Sequence, residues 1–136
     1  MLKLRTLLLL YCLTFVNCEN LSESVEDRIH HSEGLSRVDN LCSSLPVPAG
    51  FIFVSKNIKG NSLKYDVGYL FSAKVDFASV EKFYADWGLK NDWDKDASNS
   101  YSDQFYFTYV KDKQIIFIQQ VGFSEANYVV RCQEWV

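Results

Sequence analysis

Residues 62–87 read SLKYDVGYLFSAKVDFASVEKFYADW, and the period of their apolar residues changes partway along. In the first half Leu63, Tyr65, Val67, Tyr69 and Phe71 alternate with Lys64, Asp66, Gly68 and Ser72. Leu70 is the one apolar residue in the polar set. A period of two predicts a half-buried strand. In the second half Val80, Phe83, Tyr84 and Trp87 stand at i, i+3, i+4 and i+7, with Glu81, Lys82, Asp86 and Lys90 on the other sides. That spacing predicts an amphipathic helix. Asp76 precedes it as an N-cap, because its carboxylate can accept from the free amides of the first turn. Gly88 weakens the last turn.

Working outward, three further strands follow the helix. They are QFYFTYV at 104–110, QIIFIQQVG at 114–122 and NYVVRCQ at 127–133, separated by the short turns KDK and FSEA. Loops this short demand antiparallel neighbours. On the other side, FIFV at 51–54 pairs with the alternating strand as a hairpin, and IKGNS at 58–62 is turn-rich. The expected order is ββαβββ. The fold class is α+β, an antiparallel sheet of four to five strands packed against one main helix, with a short N-terminal helix.

The N-terminal half is more polar. Leu21, Val25 and Ile29, then Leu35, Val38 and Leu41, recur at helical spacing, and Gly34 divides the two runs. Ser24 and Asp27 resemble a capping box. The expectation is a frayed first segment and a short helix over 35–44, stopped by Pro46 because the residue before a proline avoids the helical region. The domain plan is a signal peptide at 1–18, a polar segment at 19–34 and one domain at 35–136.

The first eighteen residues carry Lys3 and Arg5, then an apolar run over 7–16 in which Thr14 is the one polar residue. A run of about ten residues matches a signal-peptide core and falls short of the roughly 20 that span a bilayer. Val16 and Cys18 suit cleavage before Glu19, which predicts a periplasmic or secreted protein. The alternative is a lipoprotein anchored through Cys18, the one route to a membrane, although Asn17 is a poor residue to precede a lipidated cysteine.

Cleavage after Cys18 removes Cys12 and Cys18 and leaves Cys42 and Cys132. Two cysteines in an oxidising compartment predict a disulfide. It would close a loop of about 90 residues and contribute up to roughly 4–5 kcal/mol. The alternative is two buried thiols. Metal-type spacing such as C-x-x-C is absent from the sequence.

Removing Lys3 and Arg5 takes 14 basic residues to 12 against 17 acids, a formal net charge of −5. No basic cluster remains, which argues against nucleic acid and anionic membranes as partners. Aromatic residues make up 15% of the chain, more rings than one small core readily hides. Both faces of the third and fourth strands are apolar. Phe105, Phe107 and Tyr109 oppose Tyr106 and Val110, and Ile115 and Phe117 oppose Ile116 and Ile118. One helix covers one face, so the second needs the 35–44 helix or a partner. Tyr106, Ile116 and Ile118 are the candidate partner-binding residues.

Catalytic motifs are missing. The only histidines, His30 and His31, are adjacent, and neighbours about 100° apart on a helix do not readily share one metal. The sequence nominates no Ser–His or Cys–His pair, phosphate loop or H-E-x-x-H. One stretch has metal-ligand spacing: in DWDKDASNSYSD at 92–103, Asp92, Asp94, Asp96, Ser98, Ser100 and Asp103 follow the pattern of a calcium loop. Ala97 stands where the sharp turn wants glycine, so a solvated loop is the competing reading. Asn20, Leu21 and Ser22 form a glycosylation sequon.

A strand, a helix carrying Phe83 and Tyr84, then Trp93 and more strands resembles a recurrent unit of small exported bacterial proteins and lipoproteins that mostly have no assigned function. The unit usually ends its helix in N-G-W, where this chain has Asn91, Asp92 and Trp93. The resemblance spans roughly 63–131. It implies the fold and a bacterial periplasmic setting, and implies no activity. The expectation is therefore a non-enzymatic exported protein, without a cofactor, that binds a protein partner as an inhibitor or toxin-neutralising factor. A small-ligand or calcium-binding periplasmic module is the alternative.

Overall fold

The computed structural model describes residues 25–101, 104–122 and 127–136. The leader, Cys18, the Asn20 sequon, Ser24 and Asp103 lie outside the described residues. The chain divides after Ser32 into two compact units. Residues 33–136 form the second, and everything below concerns it.

The elements are α1 (Val25–Ser44), β1 (Ile52–Gly60), β2 (Lys64–Ser72), α2 (Phe77–Lys90), β3 (Asp94–Lys95), a short 3-10 turn (Ala97–Asn99), β4 (Tyr106–Lys111), β5 (Gln114–Val121) and β6 (Asn127–Trp135). The class is α+β as expected, but the described sheet has six strands rather than four or five. They lie in the order β1-β2-β6-β5-β4-β3, and every pair is antiparallel. The additional strand β3 is two residues long, Asp94 opposite Val110 and Lys95 opposite Tyr109. Its partner creates it, and no periodicity announces it.

The first hairpin is also longer than expected. Ile58 to Gly60 continue β1, and the turn falls at Asn61, whose Oδ1 accepts from the amides of Leu63 and Lys64. Leu63, expected in the strand, is exposed in that turn. α2 then carries the chain from β2 across the sheet to β3, and β3 to β6 return strand by strand until β6 pairs with β2. This route leaves β1 and β3 as the two edges.

Register defines the covered face. Val67, Cys132, Ile116 and Tyr109 form one row, and Tyr69, Val130, Ile118 and Phe107 the next. Phe71 and Tyr128 extend it. Most of these side chains are buried, and both helices lie over them. α2 brings down Phe77, Val80, Tyr84 and Gly88; its Asp76 cap accepts from the Ser79 amide at 2.9 Å. α1 brings down Gly34, Val38 and Cys42. Gly34, expected to interrupt the helix, lies inside it. A Cβ there would overlap the Tyr65 ring, so this glycine permits the close approach and outweighs its helix cost of about 1 kcal/mol.

The N-terminal helix therefore shares a face with α2 and does not cover the opposite one. On that second face Leu70, Tyr106, Phe117 and Val129 are half-buried, and the Tyr106 and Phe117 rings stack at 5.0 Å.

Candidate functional site

An apolar hollow opens where α1 ends. Past Ser44 the chain runs through Leu45, Pro46, Val47 and Pro48 before entering β1. Two prolines hold this segment extended, and the Pro46 carbonyl accepts from the Tyr84 hydroxyl at 3.1 Å. The segment stands off the sheet and encloses about 230 Å³. Cys42, Val130 and Leu45 line its depths, Tyr69 and Phe71 its wall, and Val47 and Phe53 its mouth. Cys42 is bonded to Cys132, as the cysteine arithmetic predicts, across 90 positions. The bond fixes the end of α1 to β6 beside the hollow.

One polar cluster reaches the Tyr69 wall from outside the lining. Asp39 of α1 accepts from Tyr69 Oη at 2.7 Å and from Lys56 Nζ at 2.6 Å. The Lys56 bond, helped by the Tyr69 bond and opposed by burial, holds the Asp39 carboxyl below its ordinary value. The same bond to Asp39 raises Lys56. Burial, then the bond to Asp39, raises Tyr69. The pair beside Tyr69 is thus neutralised.

Beside the hollow runs β1. All nine of its residues are exposed, and it pairs with β2 on one side only. Its other edge presents backbone donors and acceptors to solvent. A bulge between Phe53 and Ser55 breaks the alternation, so Phe53, Lys56 and Ile58 share the covered face opposite Phe71, Tyr69 and Val67. Ile52, Phe53, Val54 and Ile58 are all exposed apolar side chains. Bulges and edge lysines guard a sheet against indiscriminate pairing; an exposed apolar run invites selective pairing.

The predicted partner-binding residues do not come together. Ile116 and Ile118 are fully buried on the covered face, while Tyr106 lies on the other. In register, Phe107 sits opposite Ile118 and Tyr106 opposite Gln119. Ile116 and Ile118 are core. Phe53, Tyr69, Phe71 and Val47 line the surface that sequence reasoning missed. The apolar FIFV run at 51–54 was its only visible signal.

Nor do the described residues of 92–103 form a cage. Asp92 follows α2 in a left-handed conformation, φ 57°, and Asp94 lies exposed in β3. The Asp96 carboxylate accepts from the Ser98 amide and hydroxyl at 3.0 and 2.6 Å and from Asn99 Nδ2 at 2.7 Å. The Ser98 carbonyl accepts from Tyr101 Oη, and Ser100 Oγ accepts from the Thr108 amide at 3.0 Å. These oxygens brace the turn against β4. Among the described residues no group of three or more His, Cys, Asp or Glu could hold a metal ion.

No protein-family model, curated protein or solved structure matches this chain. Among the described residues no helix is long and apolar enough to cross a membrane.

Proposed function

We propose that this chain is a non-enzymatic, exported binding domain that takes an extended segment of another protein along β1 and seats one large apolar side chain in the adjoining hollow. A protein of this kind suits an inhibitory or toxin-neutralising role. The observation that carries the reading is the juxtaposition of a nine-residue open edge with an apolar hollow. Strand addition gains affinity from main-chain bonds and specificity from pockets for alternate side chains.

Volume favours this over a small-ligand module. The hollow measures about 230 Å³. Pockets for drug-sized ligands run from about 300 to 1,000 Å³, and an apolar cavity of about 150 Å³ holds benzene. One aromatic or large aliphatic side chain fits between those limits. The disulfide supports an oxidising compartment, and by tying α1 to β6 it restrains one side of the hollow, which reduces the ordering cost of binding.

The test is selection of random peptides against the full chain, followed by binding to Val47→Asp and Phe53→Asp. The expected winners carry one large apolar residue in an alternating pattern and lose at least about tenfold in affinity to either variant, the cost of one buried anchor. Winners indifferent to both variants would overturn the proposal.

A further inference from the structure

We infer that the sheet face opposite the helices is where two copies of this chain pack against each other, about a twofold axis that crosses the strands at Tyr69 and Val130. This is independent of the edge-and-hollow reading. The observation that carries it is a knob and a hole on one strand. Leu70 is the apolar residue that breaks the polar side of β2, and Gly68 lies on the same face two residues before it. A Cβ added at Gly68 would meet nothing nearer than Arg131 Nε at 4.0 Å, so the glycine leaves an open dip. Its φ is not among the positive ones. Neither crowding within the chain nor a left-handed backbone therefore calls for glycine there. Glycine weakens a strand interior and marks places where another surface approaches closely. An isologous contact needs each feature and its complement on the same patch, and this patch carries both. The axis seats Leu70 of each copy over Gly68 of the other.

The rest of the face agrees with that axis. Register sets Asp66, Gln133 and Ile115 in one row across the sheet, and Ser72, Asn127 and Val121 in the row at the other end. The axis lays the first row over the second, carboxylate to hydroxyl, amide to amide and apolar to apolar. Arg131 falls over Val129, so its stem meets an apolar side chain and no like charges meet within these rows. Both helices lie on the other face. The Asn99 carbonyl accepts from Thr108 at the β4 margin, so the contact is centred on β2 and β6, where the knob and the hole lie. Four strands about 4.8 Å apart, each about seven residues at about 3.3 Å per residue, give roughly 450 Å² in plan per copy. The pair falls at the small end of specific interfaces, below about 1,200 Å², which makes this a weak dimer.

The experiment is sedimentation velocity of the full oxidised chain from about 1 to 100 µM, a range that brackets a micromolar dissociation constant. The expected result is a monomer that becomes a dimer as concentration rises. Leu70→Asp should weaken the dimer at least about a hundredfold, because the symmetry buries the new carboxylate twice. Gly68→Leu fills the hole and Leu70→Gly removes the knob. Each should weaken the dimer at least about tenfold. The two changes combined exchange knob and hole and should bring the dissociation constant back to within about threefold of the parent, because the sites are coupled. Circular dichroism checks that each variant is folded. If Leu70→Asp does not fold, Asn57→Trp on the exposed strand β1 blocks the same approach and should weaken the dimer likewise. A monomer at every concentration would overturn the inference. So would a dimer indifferent to Gly68→Leu and Leu70→Gly, or a folded exchange variant that stays monomeric. A dimer displaced by the peptides selected on β1 would place the contact at the edge and also overturn it.

Discussion

The two helices lie on the same face of one sheet and are held there by different means. α2 is held by packing: Phe77, Val80, Tyr84 and Gly88 are buried beneath it, and Tyr84 meets Phe107 with ring centroids 6.0 Å apart. Trp87 and Trp93 close its far end at 5.8 Å. α1 buries Gly34, Val38 and Cys42, with Leu35 and Leu41 half-buried against the core. Directional ties hold it: the disulfide to β6, Arg37 to Glu134 at 2.7 Å, and Asp39 to Tyr69 and Lys56. Packing is non-directional and grows with area, whereas a bond or ion pair acts at one point. The disulfide holds the end of the buried stripe of α1, at Cys42, against β6. The hollow opens there, beside Cys42 and Leu45.

The largest difference between the helices is expected at Tyr84. Its side chain is fully buried and burial raises its hydroxyl pKa. Tyr84→Ala should cost about 3–5 kcal/mol, the range for a large aromatic lost from a core. Lys82→Ala, on the exposed side of α2, should stay within about 0.5 kcal/mol. Denaturant unfolding of the two variants measures the contrast, and equally mild effects would mean that packing does not hold α2.

Next in size is the disulfide. The paired variant Cys42→Ser with Cys132→Ser should lose about 2–4 kcal/mol. Hydrogen exchange should show where: the amides of α1 from residue 33 onward should lose protection while those of α2 keep it. Even loss across both helices would erase the distinction drawn here.

The same distinction decides what could be read in advance. α2 and the alternating strand β2 are written in apolar periodicity because packing needs it, and the sequence reading of Val80, Tyr84 and the Asp76 cap matches the structure. The full length of α1 was not legible, since its fastenings are polar, covalent or a missing side chain at Gly34. β3 exists only through its partner. The error over Ile116, Ile118 and Tyr106 has one cause. Alternation gives the two faces of each strand but not the relative phase of neighbours, which a one-residue shift in register reverses. The hollow draws its lining from four separate stretches, and no local pattern joins them.

Each helix uses one glycine to make a close approach over a tyrosine ring. At Gly34 an added Cβ would overlap Tyr65; at Gly88 it would stand 2.9 Å from Tyr109 Cε1. Tyr109 is buried, its hydroxyl has no hydrogen-bond partner among the described residues, and burial, with Glu81 and Asp86 nearby, pushes it up to about 12. Gly34→Ala should cost about 1–3 kcal/mol of strain, even though alanine is the better helix former. The damage should appear at α1 and the hollow, as weaker binding of the selected peptides. Gly88→Ala should destabilise α2 and leave that binding intact.

The smallest expected effect is acid sensitivity. Burial pushes the Glu134 carboxyl up, but bonds from Arg37 and Gln114 outweigh it and leave it below its ordinary value. Asp39 is lowered chiefly by Lys56. A carboxyl lowered on folding adds stability that is fully present above its unfolded value, near 4, and is lost as pH falls through the folded value. From pH 7 to pH 3, therefore, the ties of α1 weaken. α2 has one such group, its cap Asp76, lowered by the hydroxyl and amide of Ser79. The double variant Asp39→Asn with Glu134→Gln should start with a lower Tm at pH 7 and lose less of it by pH 3 than the parent. The difference should be about 5 °C or less, because these groups are partly exposed and screened. Asp76→Asn should shift the acid response of α2 alone in hydrogen exchange. If the double variant and the parent lose the same Tm on acidification, the point contacts of α1 contribute nothing measurable. The disulfide and Val38 would then hold the helix in place by themselves.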